Sequence, residues 1–175
     1  VDCDLKKGSY IHSHNLKTNL SDKLEYSFSY NNEYLPKKSN LTFNGYVRAD
    51  GRVGIRNEIW IIPTVGCVNK TAAELEKRFS NIGKGCDGVY AFTHQFGCSQ
   101  LGDDQENTRK ILAALAHHPN VGGVLIVSLG CENTNLSVFK EYLGDVDESR
   151  VKFMVCQDVP DEIEEGTMLI NEIYN

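Results

Sequence analysis

The chain has 175 residues, of which 41% are hydrophobic and 24% are charged, and its formal net charge is −6 at pH 7. This length can bury one core with a small appendage. An acidic balance without a strongly basic face argues against nucleic acid as a main partner, and the absence of a long apolar run argues against a membrane-spanning segment. Six cysteines in a mildly acidic chain are typical of reduced thiols rather than of a disulfide framework.

The first 41 residues are expected to lie outside the main domain. Residues 1–20 read as a small unit, with a turn at Lys7-Gly8 and then a short strand on which His12 and His14 share a face. Two histidines could bind a divalent ion but do not complete a metal site. Residues 21–41 are polar and aromatic and are predicted to form an extended linker. No basic, apolar leader opens the chain, which starts at Val1, and we expect it to be a piece of something longer.

The main domain, residues 42–175, is expected to open with a hairpin. Asp50-Gly51 stands between two short runs of strand formers and predicts a type I′ turn. Arg48, Arg52 and Arg56 cluster around this hairpin. Guanidinium groups bind carboxylates well, so a clamp for a carboxylate substrate is one interpretation. A solvated face that pairs with Glu58 or Asp50 is the other.

Four strand–helix units follow the hairpin. The strands are predicted at 58–63, 88–93, 122–128 and 151–155, and the helices at 70–82, 104–117, 135–143 and 160–174. We expect Asp103 or Asp104 to cap the second helix and Gly144 to end the third. Apolar strands that alternate with helices predict an α/β domain of three layers, Rossmann-like, with a mostly parallel sheet. The order of the strands is not determined by the sequence.

Three of these strands end in Gly-Cys, at Cys67, Cys98 and Cys131. The first and third are repeats of Gly-Cys-x-Asn, which makes Asn69 and Asn133 candidates for binding substrate. Carboxyl ends of parallel strands meet at one edge of a sheet, where ligands bind, and a thiol there can be a nucleophile or a metal or cluster ligand. The alternative is that Gly-Cys merely fits tight turns, with cysteine packing as a small hydrophobe.

Three further residues are weighed beside these motifs. His94 lies in the loop before Cys98 and could remove a carbon-bound proton or ligate a metal. A histidine that simply bonds a backbone carbonyl is the equally good alternative. Cys156, at the end of the fourth strand, is a weaker candidate for the shared site, and Cys86 is expected to be structural.

Four stretches resemble the central domain of one enzyme family. They are, in chain order, Phe43 to Tyr46 followed by Arg48 and Asp50 to Asn57; Thr93 to Gln100; His118 to Asn120; and Gly122 to Val124 followed by Leu129 to Asn133. The sequence is thereby similar to the altronate/galactarate dehydratase family, which also includes sulfolactate sulfo-lyase. Arg52 to Asn57 and Gln95 to Gln100 are closer to the altronate branch than to the galactarate branch. Ile55 departs from the threonine common in relatives.

The resemblance implies a cytoplasmic lyase that removes water from a sugar acid with the help of a divalent metal, usually iron. Altronate would yield 2-dehydro-3-deoxygluconate in the breakdown of galacturonate. The family also has an N-terminal β domain of the SAF type, whose last strand residues 8–15 resemble, and a large C-terminal domain that this chain lacks. A homo-oligomer is a possible assembly.

The chemistry of dehydration suggests roles for the candidate residues. Dehydration needs a base for the proton beside the carboxylate, a clamp for that carboxylate and a Lewis acid for the departing hydroxyl. We expect His94 to be the base, with Cys98 as a second catalytic residue and the hairpin arginines as the clamp. Iron, as Fe²⁺ or in an iron–sulfur cluster, is expected on Cys67, Cys98 and Cys131, with His12 and His14 as further candidates. The alternatives are a relative acting on galactarate or sulfolactate, or a non-catalytic module that binds an anion or docks a domain.

Overall fold

The computed structural model describes residues 4–11, 27, 29 and 40–175. The chain divides into two units, Val1–Leu41 and Thr42–Asn175. In the first unit the predicted turn is present, since the Ser9 N–H donates to the Lys6 carbonyl (3.0 Å) and Gly8 has φ +91°. Residues 9–11 form no strand, and His12 and His14 lie outside the described residues. The SAF remnant at 1–20 and the linker at 21–41 therefore stay predictions.

The second unit begins with the predicted hairpin, in strands β1 (Tyr46–Val47) and β2 (Val53–Gly54). Its turn differs from the type I′ prediction, which requires positive φ at both central residues. Only Gly51 has positive φ (+82°). The Gly51 N–H donates to the Arg48 carbonyl, and the Arg48 N–H donates to the Arg52 carbonyl. This is a three-residue loop with glycine in the left-handed position.

Four strands form one sheet in which every pairing is parallel. They are β3 (Glu58–Pro63), β4 (Gly88–Ala91), β5 (Val121–Ser128) and β6 (Val151–Val155), in the order β4-β3-β5-β6. The chain leaves β3 toward one edge of the sheet and returns from β4 to the other side of β3. The switch point therefore lies between β3 and β5, which is where ligands enter such sheets.

Helices cover both faces of the sheet, and the predicted three-layer α/β fold is confirmed. They are α1 (Asn69–Arg78), α2 (Gly102–Ala116), α3 (Leu136–Leu143) and α4 (Glu162–Tyr174). Asn135 and Asp161 cap α3 and α4 by accepting backbone N–H bonds. The predicted cap of α2 is wrong, because Asp103 and Asp104 lie inside its first turn and make no capping bond. There their charge still complements the helix dipole.

The core has two halves, one on each face of the sheet. On one face Ile59, Ile61, Leu125 and Val127 pack against α1 and α4. On the other face the alternate residues of the same strands, with Trp60 and Ile62 among them, pack against α2 and α3. Period-two alternation between two apolar faces explains why β3 and β5 read as continuous hydrophobic runs. Within the described residues no helix is long and apolar enough to span a membrane.

The hairpin docks at the amino edge of this sheet. The Arg48 Nε–H donates to the Pro119 carbonyl (2.7 Å), and the Ile55 N–H donates to Asn120 Oδ1 (3.0 Å), in the turn that enters β5. A Cβ on Gly54 would collide with the Pro119 carbonyl oxygen, so the close approach requires glycine. The hairpin is thus held at the edge opposite to the carboxyl ends of the strands.

Candidate functional site at the carboxyl edge of the sheet

The three Gly-Cys loops follow the carboxyl ends of three adjacent strands, β4, β3 and β5. The structure brings these loops into contact. The Gly66 N–H donates to the Phe96 carbonyl (2.7 Å), which joins the loop after β3 to the loop after β4. Cys67, Cys98 and Cys131 are all exposed and free. The thiols are thus available to a ligand at this edge.

Glycine serves different purposes in the two Gly-Cys-x-Asn repeats. At Gly66 a Cβ would lie 2.9 Å from the His94 carbonyl oxygen, so glycine lets the β4 loop approach the backbone. At Gly130 the backbone has φ +124°, a conformation that L side chains rarely adopt. The repeat in the sequence is therefore only in part a repeat of backbone geometry.

The two asparagines of the repeats do act alike, because each holds the His94–Cys98 loop. Asn69 Nδ2 donates to the His94 carbonyl (2.6 Å), and Asn69 Oδ1 accepts from the His94 N–H (3.3 Å). Asn133 Nδ2 donates to the Cys98 carbonyl (3.3 Å). Both side-chain amides are thus engaged with the backbone of this loop, and their predicted substrate contact stays a prediction.

His94 has a partner on each ring nitrogen. The Phe96 N–H donates to Nδ1 (3.2 Å), so Nδ1 is the acceptor, and Nε2–H then donates to the Pro63 carbonyl (2.9 Å). The ring also stacks on Phe96, with 5.6 Å between ring centroids. These contacts fix the ring at the end of β3. Nδ1 must lose its Phe96 contact before it can accept a proton from a substrate.

Glu132, which follows Cys131, is the most highly bonded side chain of this edge. Its Oε1 accepts from Thr64 Oγ1 (2.6 Å), Ser128 Oγ (2.5 Å) and the Leu129 N–H (3.1 Å). Its Oε2 accepts from the Gly130 N–H (2.6 Å). Thr64 follows β3 and Ser128 ends β5, so this carboxylate ties the two strands together at the switch point.

Glu132 is only 3% exposed, and no described cation forms an ion pair with it. Burial alone would raise the pKa of its carboxyl, because a charge loses hydration in the interior. The hydroxyl donors Ser128 and Thr64 and the backbone N–H donors outweigh burial and hold that pKa below its ordinary value. A buried negative charge is therefore maintained by dipoles within the strand-end crevice.

Cys156, the fourth cysteine of this edge, differs from the other three. It is 8% exposed and packs in the core beside α4. Burial raises the pKa of its thiol to about 11, and the charges of Glu162 and Glu132 add to the effect. A thiol that stays protonated is a poor nucleophile and a poor metal ligand.

The predicted metal centre is not complete in the described part of the chain. Among those residues, no three His, Cys, Asp or Glu side chains are grouped so that they could hold a metal ion. His12 and His14 cannot be assessed, since they lie outside the described residues. The residues present therefore do not fit a metal by themselves, and iron or an iron–sulfur cluster remains a prediction from the resemblance.

The hairpin arginines are not brought together with the thiols. Arg48 donates to the carbonyls of Pro119 and Arg56 and to Asn57 Oδ1. Arg52 pairs with Asp50 (2.6 Å), and Arg56 lies 3.5 Å from Glu58. All three lie at the amino edge of the sheet. Their role in substrate binding stays a prediction, and it would concern a site separate from the edge that carries the thiols.

Sequence reasoning missed the role of Glu132. A glutamate that follows Gly-Cys at a strand end does not by itself indicate a buried charge. It does so only when hydrogen-bond donors are known to surround its carboxylate. Those donors, Thr64 just after β3 and Ser128 at the end of β5, are separated in the chain by a complete strand–helix unit. Their convergence depends on the strand order, which the sequence did not determine.

Comparison with known proteins places the chain in a family context. Residues 45–175 match the model of the second domain of D-galactarate dehydratase/altronate hydrolase. The chain is 47% identical over 98% of its length to an altronate dehydratase of Escherichia coli (strain K12), and 49% identical over 98% to an altronate dehydratase of Bacillus subtilis (strain 168). It covers 36% and 35% of these relatives, or about a third of their length.

A third relative is less similar. Over 50% of the chain there is 33% identity to the (2R)-sulfolactate sulfo-lyase subunit beta of Chromohalobacter salexigens, of which the match covers 21%. No solved structure matches the chain.

Proposed function

The chain belongs to the D-galactarate dehydratase/altronate hydrolase family, and we propose that it is one domain of a dehydratase that converts altronate to 2-dehydro-3-deoxygluconate and water. The observation that carries the proposal is identity of 47–49% to two altronate dehydratases over nearly the whole chain. Action on sulfolactate is less favoured, because that relative matches only half of the chain. A non-catalytic anion-binding module is not favoured either.

The reaction defines what the site must do. The C–H bond beside the carboxylate breaks, its electrons form a carbon–carbon double bond, and the hydroxyl of the next carbon leaves as water with a proton. The resulting enol becomes the 2-keto acid. A base must accept the first proton, and a general acid must supply the proton of the leaving water.

His94 is the proposed base, and its contacts specify a requirement. Its Nδ1 accepts from the Phe96 N–H, so the substrate must displace this contact or the loop must shift slightly when substrate binds. A loop held through Asn69 and Asn133 can change its contacts locally without losing its place. Cys98, exposed in the same loop, is the proposed second catalytic residue.

We assign no step to a metal, since the described residues form no three-ligand group. Because the chain spans about a third of the altronate dehydratases that it matches, we propose that further domains complete the site. Active sites of multidomain enzymes commonly lie between domains. The chain alone is therefore proposed to fold without dehydrating altronate. The cytoplasmic location of the protein and its part in sugar-acid breakdown also stay predictions.

The test is release of the 2-keto-3-deoxy acid from altronate under anaerobic conditions with added ferrous iron. The complete protein should be active and the 175-residue chain inactive. Absence of activity in the complete protein on altronate would overturn the proposed function. Turnover by the chain near that of the complete protein would show that these residues hold a complete site.

Two substitutions test the role assignments separately. His94→Asn removes the base and its bond to the Pro63 carbonyl but keeps a polar group near the position of Nδ1, and Cys98→Ser removes the thiol. Each should lower kcat by about 10²-fold or more, the lower range for general acid–base catalysis. If the complete protein is active and both variants keep its rate, the roles are wrong while the family and the reaction stand.

A further inference from the structure

Arg109 is a cation at the carboxyl edge of the sheet, and it belongs to none of the sequence motifs described above. It lies on α2 and is half-buried. Its Nε–H donates to Thr134 Oγ1 (3.2 Å), and its Nη2 donates to the Asn133 carbonyl (2.9 Å). Both acceptors belong to the loop that follows β5. The guanidinium is thereby fixed beside the second Gly-Cys-x-Asn motif.

This bonding leaves one side of the guanidinium free. A guanidinium has five N–H donors, and its two forks are the Nε/Nη2 side and the Nη1/Nη2 end. The first fork is occupied by Thr134 and Asn133, while no described residue accepts from Nη1. The end fork has the geometry that binds a carboxylate through two parallel hydrogen bonds.

No carboxylate of the described residues forms an ion pair with Arg109. The nearby Glu106 binds Lys110 (2.9 Å) and the hydroxyl of Tyr142 (2.8 Å) instead. The Tyr142 ring lies under the guanidinium, 5.6 Å from ring centroid to Cζ, and supports it from one face. Glu106 attracts the Arg109 guanidinium through space but makes no hydrogen bond to it. The free fork of Arg109 is therefore held in place with no carboxylate from the described part of the chain bound to it.

Other cations fit the role less well. The hairpin arginines lie at the amino edge, where backbone carbonyls and Asp50 occupy them. Lys70, at the start of α1, lies at the carboxyl edge, but no described hydrogen bond or ion pair holds its exposed side chain. A group that is already ordered loses less entropy when it binds a ligand, which favours Arg109.

We propose that the free fork of Arg109 binds the carboxylate of the sugar-acid substrate, an inference that rests on the proposed function. The crevice lined by Glu132, Asn133, Thr134 and Gln105, one turn before Arg109 on α2, has a volume of only about 10 Å³. It is too small for a sugar acid, so the substrate would lie outside it, across Arg109 and the loops. The buried charge of Glu132 repels an anion from the β3–β5 side of this crevice. The substrate carboxylate is thus directed toward Arg109, and its hydroxyl-bearing carbons extend toward the His94–Cys98 loop.

The test uses the complete protein with Arg109→Met and Arg109→Lys, and it measures both equilibrium binding of altronate and steady-state kinetics. A hydrogen-bonded charge pair corresponds to about 10- to 150-fold in affinity. Arg109→Met should therefore weaken altronate binding and raise KM by about that factor, with a smaller change in kcat. Arg109→Lys should fall between, since it keeps the charge and loses the fork. Added guanidinium ion should restore binding in Arg109→Ala.

The matched control is Arg78→Met, which removes an exposed arginine that pairs with Glu164 and lies at the end of α1 opposite to the loop after β3. It should leave binding and KM unchanged. If altronate binds the wild-type protein and Arg109→Met binds it equally well, or if guanidinium restores nothing in Arg109→Ala, the inference is overturned. The complete protein could instead bind altronate through Arg109 and show no dehydratase activity. That result would overturn the proposed reaction and support the carboxylate site.

Discussion

The two edges of the parallel sheet use their polar side chains in opposite ways. At the amino edge the arginines are paired: Arg48 donates to two backbone carbonyls and to Asn57, and Arg52 pairs with Asp50. At the carboxyl edge the thiols of Cys67, Cys98 and Cys131 are exposed, and the Arg109 guanidinium has an unoccupied fork. The amino edge is built to hold the hairpin, whereas the carboxyl edge keeps groups available.

The separation of the edges decides which residues can share a substrate. β3 has six residues, and at about 3.3 Å per residue its ends lie roughly 20 Å apart. Arg56 comes just before this strand and Cys67 just after it. A single sugar acid cannot contact both at once, so proximity of motifs in the sequence is a poor guide when a strand stands between them.

The largest effect expected at the carboxyl edge is from Glu132→Gln. The variant keeps the size of the side chain, but its amide nitrogen would face the Gly130 N–H, which now donates to Oε2 (2.6 Å). Loss of the charge weakens the remaining bonds, and one buried donor is left unpaired. We expect the free energy of unfolding in urea to fall by about 3 kcal/mol.

Asp50→Asn is the matched control for Glu132→Gln at the amino edge. Asp50 is an exposed carboxylate that accepts from Arg52, and exposed ion pairs contribute little to stability. This variant should unfold at the same urea concentration as the wild type. An equal loss of stability in the two variants would show that the edges do not differ in the way proposed.

Acidification gives a second measure of the same carboxylate. Hydrogen bonds hold the pKa of folded Glu132 below its ordinary value of 4.5. The stability that it contributes is therefore complete above pH 4.5 and is lost as the pH falls through the folded pKa. The difference in unfolding free energy between wild type and Glu132→Gln should be constant near neutrality and shrink in acid. A difference that persists unchanged in acid contradicts the assignment.

Thiol labelling compares the three exposed cysteines in the loops of the carboxyl edge with Cys156 at the end of β6. The pKa of Cys156 is raised to about 11, so only about one thousandth of this thiol is ionised at pH 8. Iodoacetamide should label Cys67, Cys98 and Cys131 first and Cys156 at least about 100-fold more slowly. Mass spectrometry of timed samples measures the order. Early labelling of Cys156 in the folded chain would contradict its placement in the core.

Much of the fold could be predicted from the sequence, since its signals are local. The apolar runs of β3 and β5 and the strand–helix alternation indicated a parallel sheet covered on both faces, and four strand–helix units are present. The misses are also local in origin. Asp50-Gly51 fits more than one hairpin loop, and Asp103 favours the first turn of a helix as well as its cap.

The site was predicted less well, because it depends on contacts across the sheet. That Cys67, Cys98 and Cys131 follow parallel strands could be foreseen. The contact of Glu132 with Thr64 and the contact of Arg109 with the loop after β5 could not be foreseen. Both depend on the strand order and on which face of the sheet α2 covers. The hairpin arginines could have been placed correctly, since Arg56 lies only two residues before β3.

The smallest effects are expected from the two asparagines, and their inequality tests how the His94–Cys98 loop is held. Asn69 makes two bonds to His94 (2.6 and 3.3 Å) and is half-buried, whereas exposed Asn133 makes one bond to Cys98 (3.3 Å). At about 1 kcal/mol per bond, Asn69→Ala should destabilise the chain by about 2 kcal/mol and Asn133→Ala by less than about 1 kcal/mol. Hydrogen exchange should rise at the loop amides in both variants, more strongly in Asn69→Ala. The hairpin amides at the amino edge should not change, because no bond of either asparagine reaches them. Equal exchange at both edges would mean that the loop and the hairpin open together, and the contrast between the two edges would then be lost.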